Sequence, residues 1–259
     1  MARKLNKRRS APSRRTGYRI PALWNCWGAT DAWQPIDRRE VSIEPAAYLG
    51  ACLEWIERVS RVRGRVPGRS LSRIQGVRAS GKLRVRTADG TRRAGDWIRR
   101  AMMDGWVIRW GTAWDHDGDG RLTAQRTNEL GTFLKSILLL PHLARMGVSV
   151  LYLLPVAKAS RLYRKGELGC PYAAKNFFEL DPDQHDDAFG DAFGDIDAQF
   201  RLFVASAHRL GMRVMLDIAP RTAARDSDWI LDHPEWFYWI ERKFERGYRA
   251  PHIPGATYY

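Results

Sequence analysis

Residues 148–154 read VSVLYLL, and residues 212–218 read MRVMLDI. Each is a short, nearly continuous apolar run, the pattern of a strand covered on both faces within a parallel sheet. Gly147 and Gly211 stand just before these runs, where a preceding helix would stop. Upstream of the first run, residues 128–146 carry Leu130, Phe133, Leu134, Ile137, Leu138 and Leu143 on one side of a helix, with a kink or break predicted at Pro141. Upstream of the second, residues 196–210 place Phe200, Phe203, Val204, Ala207 and Leu210 inward. Residues 106–112, WVIRWGT, read as an earlier strand. Strands alternating with helices make the fold class α/β, with parallel strands. Right-handed crossovers put the post-strand loops at one end of the sheet, which is where sites of such folds lie. The segment 156–194 reads as a long polar loop.

Outward from this region the composition changes. The chain has 259 residues, 44% hydrophobic and 28% charged, which excludes wholesale disorder. No apolar run is long enough for a transmembrane helix, and MARKLNKRRSAPSRR lacks the apolar core of a signal peptide. Three widely spaced cysteines, Cys26, Cys52 and Cys170, suggest neither a disulfide framework nor a zinc site, so a reducing cytoplasm is expected. The net charge is +14, but residues 1–109 hold 25 basic and 9 acidic side chains while residues 110–259 hold 18 and 20. Residues 1–17 therefore read as a disordered basic tail. Residues 18–104 read as an N-terminal extension with a helix over 45–59 and a short hairpin, 83–87 followed by Asp89-Gly90. A basic balance can mean nucleic acid. No helix-turn-helix, zinc-finger or RNP pattern accompanies it, so a solvated surface is the favoured reading and a nucleic-acid binder the rival.

Three motifs fall in the post-strand loops. Asp115, Asp117 and Asp119 alternate through DHDGDG, which brings hard oxygen ligands to the inside of a turn and suits Ca²⁺. The plainer alternative is an Asp/Gly turn satisfied by its own backbone. Gly169-Cys170-Pro171-Tyr172 can aim an aromatic ring at a sugar face or simply pack. Asp217, near its strand end, needs a partner, and Arg221 and Arg225 are the nearby candidates. Finally, Trp236-Phe237-Tyr238-Trp239 cannot all face one way. Some could line a groove for sugar rings, although core or interface is the plainer role.

Taken in order, residues 105–240 resemble the α-amylase family, glycoside hydrolase family 13. DHDGDG is similar to that family's calcium loop after its first strand, LYLLPV to its second strand, GCPYAAKNFFELDP to its Gly-Tyr segment, and AHRLGMRVMLD to its run into strand three. The stretch PRTAARDSDWILDHPEWFYWI looks most like the maltosyltransferase branch. The resemblance implies a partial (β/α)₈ TIM barrel, the first three βα units, across residues 105–259. It implies a sugar-binding role for Tyr172, Asp217 and Arg221, and a metal set of Asp115, Asp117, Asp119, Arg121, Thr123 and Glu129, with Glu129 standing in for the acidic residue that Thr123 replaces. The family usually has Asn-His where this chain has Arg221-Thr222. Its retaining chemistry uses a pair of carboxylates, and no Gly-x-Arg-x-Asp sequence for the nucleophile follows Asp217. The resemblance therefore implies the N-terminal part of an enzyme acting on α-1,4-glucan or maltooligosaccharide, missing the C-terminal part of its catalytic domain and inactive alone. A non-catalytic glucan-binding protein is the other reading.

Overall fold

The structure is a computed structural model and describes residues 18–25, 27, 33–35, 37, 39–62, 96–122, 129–162 and 168–247. The expected basic tail (1–17), the hairpin at 83–90, Cys26 and Thr123 lie outside the described residues.

A parallel sheet is built from β4 (Met103–Trp106), β5 (Val150–Leu153) and β8 (Arg213–Leu216), in the order β4-β5-β8. Its register pairs Met103 with Val150 and Val150 with Arg213. α3 (Phe133–Met146) leads into β5, and α4 (Ile196–Arg209) leads into β8. Among the described residues these three strands close no barrel. Thr132 caps α3 by accepting from the Lys135 amide at 3.2 Å, and Asp195 caps α4 by accepting from the Ala198 amide at 2.8 Å. Gly147 ends α3 with φ 88°, a left-handed conformation that suits glycine. The break expected at Pro141 does not occur: α3 runs through it as one helix to Met146.

The amino-terminal region forms an antiparallel sheet of its own, ordered β1 (Tyr18–Pro21), β3 (Glu40–Ile43), β2 (Trp33–Pro35). The long helix α1 (Pro45–Val62) follows. Helix α1 packs on both α3 and α4. Ile20, Trp24, Tyr48, Leu49 and Ile56 therefore share one buried cluster with Leu134, Ile137, Leu151 and Phe203. Each such side chain contributes about 1.5–3 kcal/mol of hydrophobic stabilisation. Phe133 knits α3 to α4 through Phe200 (ring centroids 5.0 Å apart) and Phe203 (6.1 Å). No helix among the described residues is long and apolar enough to cross a membrane.

Three sequence expectations need correction. The strand read at 106–112 ends at Trp106. The chain then curls into the single turn α2 (Ile108–Gly111), because the Val107 carbonyl accepts from the amides of Trp110 and Gly111. That curl turns Arg109 inward to Asp181, Asp183 and the Leu168 carbonyl. An alternating pattern cannot distinguish this buried ion pair from an outward-facing strand residue. Second, the long loop at 156–194 contains a hairpin of β6 (Ala157–Ala159) and β7 (Ala174–Leu180). Its irregular register and mixed polarity hid it. Third, β8 is not covered on both faces: Leu216 is 41% exposed, because its side chain lines the cavity at the carboxyl end of the sheet.

Candidate functional site

Because β4, β5 and β8 run parallel, the loops that follow them gather at one end of the sheet. There a cavity of about 130 Å³ is lined by Pro155 and Val156 after β5, by Pro171, Tyr172, Phe177 and Phe178 from the hairpin region, and by Leu216, Asp217 and Ile218 at the end of β8. Its wall is mainly apolar, with Tyr172, Asp217 and Glu179 as its polar members.

Tyr172 Oη donates to Asp217 Oδ2 at 2.5 Å. The same carboxylate bonds the hydroxyl of Tyr152 on β5, which pushes that phenol upward. The Tyr172 phenol is pushed up to about 12, chiefly because its hydrogen bond to the Asp217 carboxylate would be lost on ionisation. Asp217 thus anchors two neutral phenols and is not paired to Arg221, whose exposed side chain takes no part in the cavity lining. The structure brings Tyr172 and Asp217 together and leaves Arg221 apart. Tyr152 escaped the sequence reading because it sits inside VLYLL. The period-two alternation that places it opposite Leu151 and Leu153 was the available signal.

The Asp115 loop closes on itself. Asp115 Oδ1 accepts from the amides of Gly118 (2.6 Å) and Asp119 (3.1 Å), and Oδ2 accepts from Gly120 (2.8 Å). Asp117 accepts from the Asp119 amide, and Asp119 from the Arg121 amide. Asp115, Asp117 and Glu129 still present oxygens within 4.8 Å of one another. Asp119 and Arg121 lie outside that cluster. A carboxylate has about four lone-pair sites, so the amide bonds to Asp115 do not exhaust it. The three-residue donor set, all hard oxygen, fits a Ca²⁺-type ion.

Behind the loop lies a buried polar network that the sequence did not reveal. His116 Nδ1 lies 2.5 Å from the Arg19 carbonyl, to which it must donate, leaving Nε2 to accept from Lys135 Nζ at 3.1 Å. Lys135 also donates to the Leu130 carbonyl. Burial, reinforced by the Lys135 charge, holds the imidazole down to about 3, so it is neutral. Burial likewise holds Lys135 down to about 8, against the opposing pull of Asp186 and Glu129. Asp186 accepts from Thr132 Oγ1 at 2.6 Å, and burial raises its carboxyl. Tyr18 stacks on His116 with ring centroids 4.0 Å apart, tying β1 to the loop.

The aromatic run after β8 is not core: Trp236 is 60% exposed, and Tyr238 and Trp239 are exposed as well.

No family model matches the chain. It is 38% identical over 117 residues to the α-1,4-glucan:maltose-1-phosphate maltosyltransferase of Mycolicibacterium smegmatis, a match covering 41% of this chain and 16% of that enzyme. The enzyme of the same name from Rhodospirillum rubrum is 35% identical over 127 residues, covering 45% and 17%. That from Mycobacterium tuberculosis strain H37Rv is 35% identical over 130 residues, covering 48% and 17%. The matched stretch is thus about a sixth of the length of these relatives. Among solved structures, an α-amylase from Lactobacillus plantarum superposes with a TM-score of 0.43 at 29% identity, covering 55% of this chain and 28% of that one. A maltogenic α-amylase from Thermotoga neapolitana superposes at 0.42 and 27%, covering 56% and 29%. Over less than half of its length the chain is thus similar in sequence to enzymes named α-1,4-glucan:maltose-1-phosphate maltosyltransferase.

Proposed function

We propose that this chain is the N-terminal portion of a maltosyltransferase-like, α-glucan-acting transglycosylase, and that the Tyr172–Asp217 cavity is part of its sugar site. The observation that carries the reading is the hydrogen bond between those two side chains at the carboxyl end of a parallel sheet, where Tyr172 is held at the cavity wall. In this reading β4, β5 and β8 are the first three strands of a (β/α)₈ barrel, and residues 18–104 are an extension before it. The partners are an α-1,4-glucan or maltooligosaccharide and the C-terminal part of the catalytic domain, which would supply the reacting carboxylates. The cavity itself binds and orients. Asp217 is occupied in holding Tyr172 and Tyr152, so its role is to position and not to attack. The setting is a reducing cytoplasm.

Ca²⁺ belongs to the same proposal. Asp115, Asp117 and Glu129 would hold it, and it would supply a structural clamp between the loop and the start of α3. Glu129 already accepts from the His116 amide at 3.1 Å. An ion there would brace both the loop and the buried network behind it.

The test is calorimetric titration of the chain with maltose. Saturable binding that weakens about tenfold or more in Tyr172→Ala, and persists in Tyr172→Phe at reduced strength, is expected. Wild-type protein that binds no maltose, or a Tyr172→Ala variant that binds it equally well, would refute the assignment.

A further inference from the structure

The aromatic side chains outside the core join end to end beside the cavity. Phe177 and Phe178 line the cavity wall and also meet Trp229, with ring centroids 5.1 and 5.9 Å away. Trp229 meets Trp236 edge-on at 5.7 Å. His233 lies flat against Trp236, 3.9 Å away and 5° from parallel, so Trp236 is braced from one side while 60% of it stays exposed. Phe178 is 85% exposed.

Hydrogen-bonding groups edge these rings. Asn176 Nδ2 donates to Asp228 Oδ2 and to Glu179 Oε1, each at 3.1 Å. Lys175 Nζ lies 3.4 Å from Asp228, and His233 Nδ1 lies 3.2 Å from Glu235. The core of a protein–protein interface is depleted of charge, whereas here carboxylates flank the rings. Their excess of negative charge disfavours an anionic ligand. Flat apolar faces bordered by carboxylates and an amide match an uncharged pyranose, which offers an apolar C–H face and hydroxyls around its rim. A cavity of about 130 Å³ has the volume of about four waters, so it takes in only part of a sugar chain. A longer chain must leave over the surface, and the aromatic run begins where the cavity wall ends.

We propose that Phe178, Trp229 and Trp236 form a stacking track that carries an uncharged α-1,4-glucan chain outward from the Tyr172–Asp217 cavity. The inference rests on the reading of that cavity as a sugar site.

The experiment compares maltose with maltoheptaose, titrated into the full chain by calorimetry. Maltoheptaose is expected to bind about tenfold more tightly, a difference of 1.4 kcal/mol. Trp236→Ala alters an exposed side chain outside the cavity lining. It should erase most of that preference while leaving maltose affinity unchanged, and Trp236→Phe should retain it. Equal affinity for the two sugars, or a preference that survives Trp236→Ala and Phe178→Ala combined, overturns the track while leaving the cavity assignment standing. Wild-type protein that binds neither sugar overturns both. Self-association in sedimentation that Trp236→Ala abolishes, with the sugar preference intact, would make the patch an interface between copies and overturn the track.

Discussion

Replacing Lys135 with methionine removes the cation from the buried network and keeps the side chain's length. Lys135 is fully buried and held down to about 8. Holding it that far below the ordinary lysine value while it stays charged at pH 7 costs the fold about 3 kcal/mol. Asp186 is raised by the same burial. Both partners are pushed toward their neutral forms, so desolvation outweighs their attraction. Deleting the cation alone strands the Asp186 carboxylate, which keeps only neutral partners in Thr132 Oγ1 and the Ala188 amide. The stranded Asp186 carboxylate, and the His116 Nε2 and Leu130 carbonyl acceptors left without the donor they share in Lys135 Nζ, together cost about 3–5 kcal/mol, partly offset by the relief of the lysine's own penalty. A net loss of about 1–2 kcal/mol at pH 7 is expected, read as a fall of about 0.5–1 M in the urea midpoint followed by tryptophan fluorescence. The pH dependence has a definite sign. A carboxyl raised on folding binds its proton more tightly in the native state, so its contribution to stability grows as pH falls through the raised value. Without Lys135 the Asp186 carboxyl rises further, so the deficit should shrink markedly at pH 5. Lys135→Met combined with Asp186→Asn should recover most of it at pH 7. A variant as stable as wild type at pH 7, or a deficit undiminished at pH 5, would refute the reasoning.

Gly131→Ala should lower stability by about 3 kcal/mol or more, since an added Cβ would sit 1.8 Å from the Ile108 carbonyl oxygen; a thermal midpoint within a degree or two of wild type would contradict this. Asp217→Ala should return the Tyr172 phenol from about 12 toward its ordinary value, read by tyrosine ring-carbon NMR. In wild type the corresponding stabilisation is present below pH 10 and is lost as pH rises through about 12, and it is small because Tyr172 is partly exposed to solvent. Ca²⁺ at a hundredfold excess over its dissociation constant should stabilise the chain by about 2.7 kcal/mol, and Asp115→Asn with Asp117→Asn should abolish that shift in thermal denaturation.

The parallel sheet was legible because β5 and the helices before β5 and β8 bury apolar side chains at their proper periods, and because Gly147 closes α3 with a conformation that few other residues adopt. The approach of Tyr172 to Asp217 was foreseeable only in part: both residues stood out, but their pairing spans 45 positions and no local pattern encodes it. The partner expected for Asp217 was an arginine, on the rule that carboxylates seek opposite charge. Two phenols serve instead, as neutral donors in a mainly apolar wall. The network around Lys135 was illegible for a related reason. In sequence, Lys135 looks like the solvent-facing lysine of an amphipathic helix; His116 and Asp186 reach it from outside that helix, and α1 comes over α3 from further still, covering it.

That covering has a consequence for the order in which the molecule is made. Helix α1 ends at Val62 and its partner α3 begins at Phe133, about 70 residues later. At roughly 5–20 residues per second, a nascent α1 waits about 4–14 s for the surface that buries Leu49 and Ile56. Through that interval Tyr48 of α1 can already meet Trp27 and Asn25, which are made before it, while the side that faces α3 has no partner. Burial of that side is therefore a late event in synthesis, and it joins the two halves of the core.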